Sequence, residues 1–154
     1  MKIRTQSRST LKLLWVVLAF SCISYMEAGA QTKTIAANFL NAYSNSLLYG
    51  TYEEHADLFT NPTMFEGKSY NRAGLRNLVK KFYSNYITLA HRFSPWDYST
   101  SNDGKTIYII ATETHKTKNR KTGKVNSVTV DKYIILQYKN GWKCSMKENY
   151  QGGC

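Results

Sequence analysis

Thr34 to Phe59 reads TIAANFLNAYSNSLLYGTYEEHADLF, and the start of the fold is written in this stretch. Ile35, Phe39, Tyr43 and Leu47 recur every fourth residue with Ala36 and Leu40 beside them, the stripe of an amphipathic helix. Gly50 ends that helix. In Thr51-Tyr52-Glu53-Glu54 the threonine hydroxyl is placed to accept from the amide three residues on, while Glu54 reaches back to the amide of Thr51. This capping box predicts a short second helix running to about Phe59, with Pro62 and Gly67 marking a loop beyond it.

Downstream, Asn71 is a suitable N-cap for a third helix, whose Leu75, Leu78, Val79 and Phe82 keep helical spacing. After Tyr86 the period becomes two. Ile87, Leu89, His91 and Phe93 alternate with Thr88, Ala90 and Arg92, and Asn102-Asp103-Gly104 turns the chain into a β-rich run from Thr106 to Thr114. A second turn falls at Asn119 to Gly123, and Val125 to Tyr138 is the longest predicted strand. Asn140-Gly141 then leads into Trp142, Cys144 and Met146 on one face, the strongest hairpin signal in the chain. Three helices thus precede an antiparallel meander, an α+β arrangement of one domain with a modest core.

The region upstream of Thr34 carries a different signal. Lys2, Arg4, Arg8 and Lys12 precede a nearly unbroken apolar run from Leu13 to Met26, and Ala28-Gly29-Ala30 supplies a small-x-small cleavage site. This pattern predicts a secretory signal peptide over residues 1–30 and an exported domain over 31–154, in the periplasm or secreted. The run is shorter than the roughly 20 residues a membrane-spanning helix needs, so a permanent anchor over 13–26 is the weaker alternative. Another alternative is lipidation at Cys22, although Ala19 and Phe20 fit a lipoprotein box poorly. Without residues 1–30 the domain keeps Cys144 and Cys154, which an oxidising compartment allows to pair, against the alternative of a buried free Cys144.

The Gly50-Thr51-Tyr52-Glu53-Glu54 step and the Asn140-Gly141-Trp142-Lys143 turn, set within this order of elements, resemble the nuclear transport factor 2-like (NTF2-like, SnoaL-like) superfamily over about residues 35–149. The resemblance implies three N-terminal helices packed on a curved antiparallel sheet, and a cone-shaped pocket rather than a particular reaction. The superfamily holds ketosteroid isomerases, dehydratases, polyketide cyclases, transport adaptors and small exported proteins, and its members often dimerise through the open sheet face. Tyr43, Phe59, Phe65, His91, Trp96, Tyr108 and Trp142 are candidates to line the cone, and their aromatic character suits an apolar or planar ligand.

An enzyme of this type needs an acid or base held in the pocket. His91, on the Ile87, Leu89 and Phe93 face, is the first candidate. Asp131 is a second, though only if a β-bulge shifts its strand, because by parity Lys132 shares the inward stripe with Val128, Val130, Ile134 and Leu136. His55 and Asp57 are two apart on the short helix and are expected in solvent, as is His115 at the start of a basic hairpin. Nucleophilic triads and metal-ligand spacings are absent from the sequence, and nothing in it calls for a cofactor or a metal. The leading expectation is therefore an exported, non-enzymatic module that binds a small hydrophobic ligand or a protein partner. The alternatives are an isomerase- or dehydratase-type pocket enzyme and a periplasmic component of a secretion or conjugation complex.

The chain has 21 basic and 10 acidic residues, and loss of residues 1–30 would leave a surplus of about eight positive charges. Such a surplus favours anionic partners. Lys116, Lys118, Arg120, Lys121 and Lys124 crowd the turn around Asn119 and Gly123 and form a candidate anion-binding tip. No aromatic side chains interleave them, which argues against nucleic acid.

Overall fold

A computed structural model describes the backbone of residues 8–151 and the side chains of residues 29–95 and 97–151. The chain runs through α1 (Arg8–Tyr49), α2 (Tyr52–Asp57), β1 (Phe59–Phe65), β2 (Lys68–Tyr70), α3 (Arg72–Asn85), β3 (Tyr86–Thr100), β4 (Thr106–Asn119), β5 (Val125–Tyr138) and β6 (Trp142–Asn149). Three helices pack on a curved, open six-stranded sheet of order β2-β1-β6-β5-β4-β3. Among the described residues no helix is long and apolar enough to cross a membrane.

The helical signals are realised at the expected residues. Glu54 N donates to Thr51 Oγ1 and Thr51 N donates to Glu54 Oε2, the two bonds of a capping box. Gly74 N donates to Asn71 Oδ1 at the start of α3. Gly50 is needed sterically, since a Cβ there would lie 2.7 Å from Glu54 Oε2 and 2.9 Å from the Ser46 backbone. Ala36, Phe39, Leu40 and Tyr43 of α1 share one buried cluster with the inward side chains of the sheet and with Leu75 and Val79 of α3. At the last hairpin Asn140 and Gly141 both take positive φ, as an Asn-Gly turn requires.

The sheet departs from the expected meander in three ways. First, the Pro62–Gly67 loop is replaced by a β1–β2 hairpin, and β1 pairs with β6 in parallel, so the sheet is mixed rather than purely antiparallel. No local turn announces a parallel pairing between segments some eighty residues apart.

Second, Leu89 is an unpaired bulge residue in β3, since Thr88 opposes Thr117 and Ala90 opposes Lys116. The bulge places His91 and Phe93 inward, while Ile87 and Leu89, the expected companions of His91, stay 39% and 44% exposed. Third, Ser145 is a bulge residue in β6, because Ile135 opposes Met146 whereas Leu136 opposes Cys144. After it the inward position belongs to Lys147 rather than Met146.

The register between β4 and β5 is unbroken from Thr106↔Gln137 to Lys118↔Val125. Lys132 is consequently buried and inward, and Asp131 lies exposed on the outer face, where it accepts from Thr112 Oγ1 at 2.8 Å.

Candidate functional site

The concave side of the sheet and the helices above it enclose a cavity of about 340 Å³. Leu47, Phe65, Leu78, Val79, Phe82 and Val130 give it apolar walls, and Tyr43, His55, Glu66, Glu113, His115, Lys132 and Lys147 supply polar groups. Alternation in β4 explains the first part of that set. Ile107, Ile109 and Ala111 face the core, so Glu113 and His115 follow on the same side of the strand. β3 brings His91 opposite His115, β5 brings Lys132 opposite Ala111, and the Ser145 bulge turns Lys147 in from β6.

Glu113 is the hub. Its Oε1 accepts from His91 Nε2 at 2.8 Å and its Oε2 from Lys147 Nζ at 2.9 Å, with Lys132 Nζ 3.8 Å from the same Oε2. Lys132 donates to Glu66 Oε1 and to Asn149 Oδ1. Lys147 Nζ also stands 5.1 Å from the Tyr43 ring centroid and 5.4 Å from that of Phe65, within cation–π range. Burial alone pushes the Glu113 carboxyl upward. The His91 hydrogen bond and the Lys147 charge outweigh it and hold the group well below the usual carboxylate range.

Hydrogen-bond accounting assigns the ring protons. The Ser44 hydroxyl donates to the Leu40 carbonyl, leaving its oxygen to accept from His91 Nδ1 at 2.9 Å. At the other end His91 Nε2 meets a carboxylate. Both His91 ring nitrogens therefore face oxygens able to accept. His55 is the opposite case. The Ser46 hydroxyl donates to the Tyr43 carbonyl and accepts from His55 Nδ1 at 2.7 Å, so Nε2 keeps a lone pair on a ring that lines the cavity.

Burial, with the charges of Lys147 and His91, pushes His55 down to about 3. His115 is held at about 4 by burial and the His91 charge, and its Nε2 lies 3.2 Å from Thr88 Oγ1. Tyr43 is raised well above its ordinary value by burial and by the nearby Glu113 charge. Its hydroxyl has no hydrogen-bond partner among the described residues.

The structure sorts the sequence candidates. Tyr43 and Phe65 line the cavity, whereas Phe59 is fully buried behind it, edge-on to both rings. His91 braces the cavity through Glu113 and Tyr43 and touches a smaller cleft beside α1. Tyr108 is on the outer face, stacked on Tyr133, and Trp142 packs at the sheet end against Tyr138. The Trp96 side chain lies outside the described residues. Cys144 is buried with its thiol toward the Met146 carbonyl, and Cys154 lies outside the described residues. Lys116, Lys118, Arg120, Lys121 and Lys124 are exposed at the β4–β5 turn, with Arg120 Nε donating to the Tyr83 carbonyl.

Two expectations about histidines are corrected. His55 is buried rather than solvated, because α2 packs its side against Tyr43 and Phe59. His115 is half-buried over His91 and Phe82 rather than exposed.

Glu113 and Lys147, the centre of the cluster, were not singled out from the sequence. The parity of Ile107, Ile109 and Ala111 would have found Glu113, whereas Lys147 depends on a bulge. The donor atoms of His91, Glu113 and His115 lie within 4.8 Å of one another, a ligand set for a metal ion in geometry alone. A cation there would have to displace Lys147 from Glu113 and sit beside a second ammonium, so the chemistry of the set is that of an ion-pair network.

No sequence-family model matches the chain, and no curated protein matches it. Its fold is shared with solved structures. A candidate scytalone dehydratase from Novosphingobium aromaticivorans is 10% identical, with a TM-score of 0.67 over 83% of this chain and 89% of the other. For a candidate dehydratase of the NTF2-like family from Streptomyces avermitilis the values are 15%, 0.60, 80% and 99%. A ketosteroid isomerase-like protein from Erwinia carotovora atroseptica gives 10%, 0.61, 77% and 96%. These likenesses show the NTF2-like fold.

Proposed function

We propose that this NTF2-like cone is an exported binding module for a small, largely apolar or planar molecule bearing one anionic or strongly accepting group. The observation that supports this most directly is the two-part lining of the cavity. Aliphatic and aromatic walls surround a polar end at which Lys147 and Lys132 stand beside Glu113, and the Tyr43 hydroxyl, without a hydrogen-bond partner among the described residues, is available to donate. The Glu113 carboxylate is held by two donors and remains a counter-ion, so it is unsuited to shuttling protons.

A planar sulfonate, anilinonaphthalene sulfonate, is a suitable probe. It should bind with one-to-one stoichiometry and be lost on Leu78→Trp, which fills the cavity from α3. Probe binding unchanged by that substitution would place the ligand elsewhere and sink the proposal. For export, the intact mass of the chain recovered from a bacterial envelope should correspond to a start at Gln31. An uncleaved chain would favour a membrane-anchored envelope component.

A second reading, an isomerase- or dehydratase-type enzyme, is favoured by the convergence of His91, Glu113 and His115. In it His115, neutral at ordinary pH and bordering the cavity, takes a proton from a carbon next to a carbonyl, while the Tyr43 hydroxyl donates to the developing oxyanion. Exchange of ring-ketone α-protons into deuterated water, abolished by His115→Asn, would support it. Exchange at the uncatalysed rate across a panel of cyclic ketones would count against it.

A further inference from the structure

Among the described residues the exposed large hydrophobic side chains gather at one end of the molecule, with Tyr138, at the far end of β5, the exception. Ile87, Leu89, Val125 and Val128, 39% to 55% exposed, all lie on the distal ends of β3 and β5, flanking the basic β4–β5 turn. Tyr49, 82% exposed, ends α1, where Leu48 and Gly50 share a cleft with Ile87 and Arg120. The register interleaves the apolar side chains with charge. Ile87 pairs with Lys118, and Lys118 with Val125, so on the outer face a lysine stands between two aliphatic neighbours. Lys116, Lys121 and Lys124 extend the positive field, and among the described residues none of these lysines takes part in an ion pair. No aspartate or glutamate occurs over residues 86–96 or 114–129.

We propose that this end of the molecule docks on an anionic lipid bilayer, with the lysines at headgroup phosphates and Ile87, Leu89 and Val125 between them at the acyl boundary. Flexible lysine stems surrounding single aliphatic side chains suit a fluid, laterally averaged surface. A protein interface would instead call for a contiguous anchor in a pocket, and a nucleic acid would call for aromatic rings between the cations. Val128, on the same strand end, also lines the cavity, so a docked protein would hold the mouth of its pocket near the bilayer.

The test is co-sedimentation of the full chain with vesicles of phosphatidylcholine alone or of phosphatidylcholine mixed with phosphatidylglycerol, for the wild type and for Lys118→Ser/Lys121→Ser/Lys124→Ser. The N-terminal basic residues are common to both proteins and cancel in the comparison. Each lysine near an anionic surface is worth about a fivefold change in partitioning, so the triple variant should lose about a hundredfold of the phosphatidylglycerol-dependent binding. Ile87→Ser/Val125→Ser should remove the part of the binding that survives high salt. Equal partitioning of the triple variant and the wild type would overturn the proposal. So would an RNA oligonucleotide that binds more tightly than the anionic vesicles.

Discussion

His55 makes the stability of this protein depend on pH in a calculable way. Its folded-state value, about 3, lies below the roughly 6.5 of an unfolded chain, so between those limits the unfolded state binds the extra proton. Stability therefore falls as pH falls. From these two values, acidification from about pH 7 to pH 5 should cost about 2 kcal/mol through His55 alone. His115, also depressed, acts in the same direction but is half-buried and contributes less.

The assay is urea unfolding at both pH values for the wild type and for His55→Asn, whose amide can still donate to Ser46. The variant loses packing at either pH, and that loss cancels in the pH difference. The wild type should lose about 2 kcal/mol more than the variant on acidification. A difference within about half a kcal/mol, or one of opposite sign, would refute the reasoning, because it would mean that His55 titrates alike in both states. Imidazole carbon shifts provide an independent check, since the His55 ring should stay neutral to about pH 4.

Removal of the hub charge by Glu113→Gln leaves buried Lys147 with only the Glu66 carboxylate, 3.8 Å away, as counter-ion and should cost about 3 kcal/mol in chemical unfolding at neutral pH. Wild-type stability should also drop below about pH 4, because a depressed carboxylate contributes stability above its unfolded value and loses it as pH falls; Glu113→Gln should blunt that limb. Gly50→Ala drives a methyl group into Ser46 and the Glu54 carboxylate, so a loss of about 1–3 kcal/mol is expected, readable as a lower urea midpoint at constant slope. Cys144, pushed up to about 12 by burial, should resist a thiol reagent in the folded protein and label only on unfolding, as peptide mass mapping would show.

Features that depend on neighbours in the chain were legible from the residues alone. The stripe of α1, the capping box at Thr51, the Asn71 cap and the Asn140-Gly141 turn are local signals, satisfied by bonds spanning a few residues. The inward placement of Lys132 also follows from parity, because β5 keeps its register against β4 throughout.

Tertiary structure decided what depends on register and on partners across the sheet. The bulge at Leu89 separates His91 from Ile87, and the bulge at Ser145 exchanges Met146 for Lys147 at the inner surface. One unpaired residue reverses the face of everything after it, and no local composition marks either position. His91, Glu113 and Lys147 come from three strands, and the pairing of β1 with β6 joins distant segments in parallel. Their meeting is fixed by long-range hydrogen bonding and by burial of charge only where a counter-charge faces it, which is why the ionic centre of the cavity emerged from the folded chain.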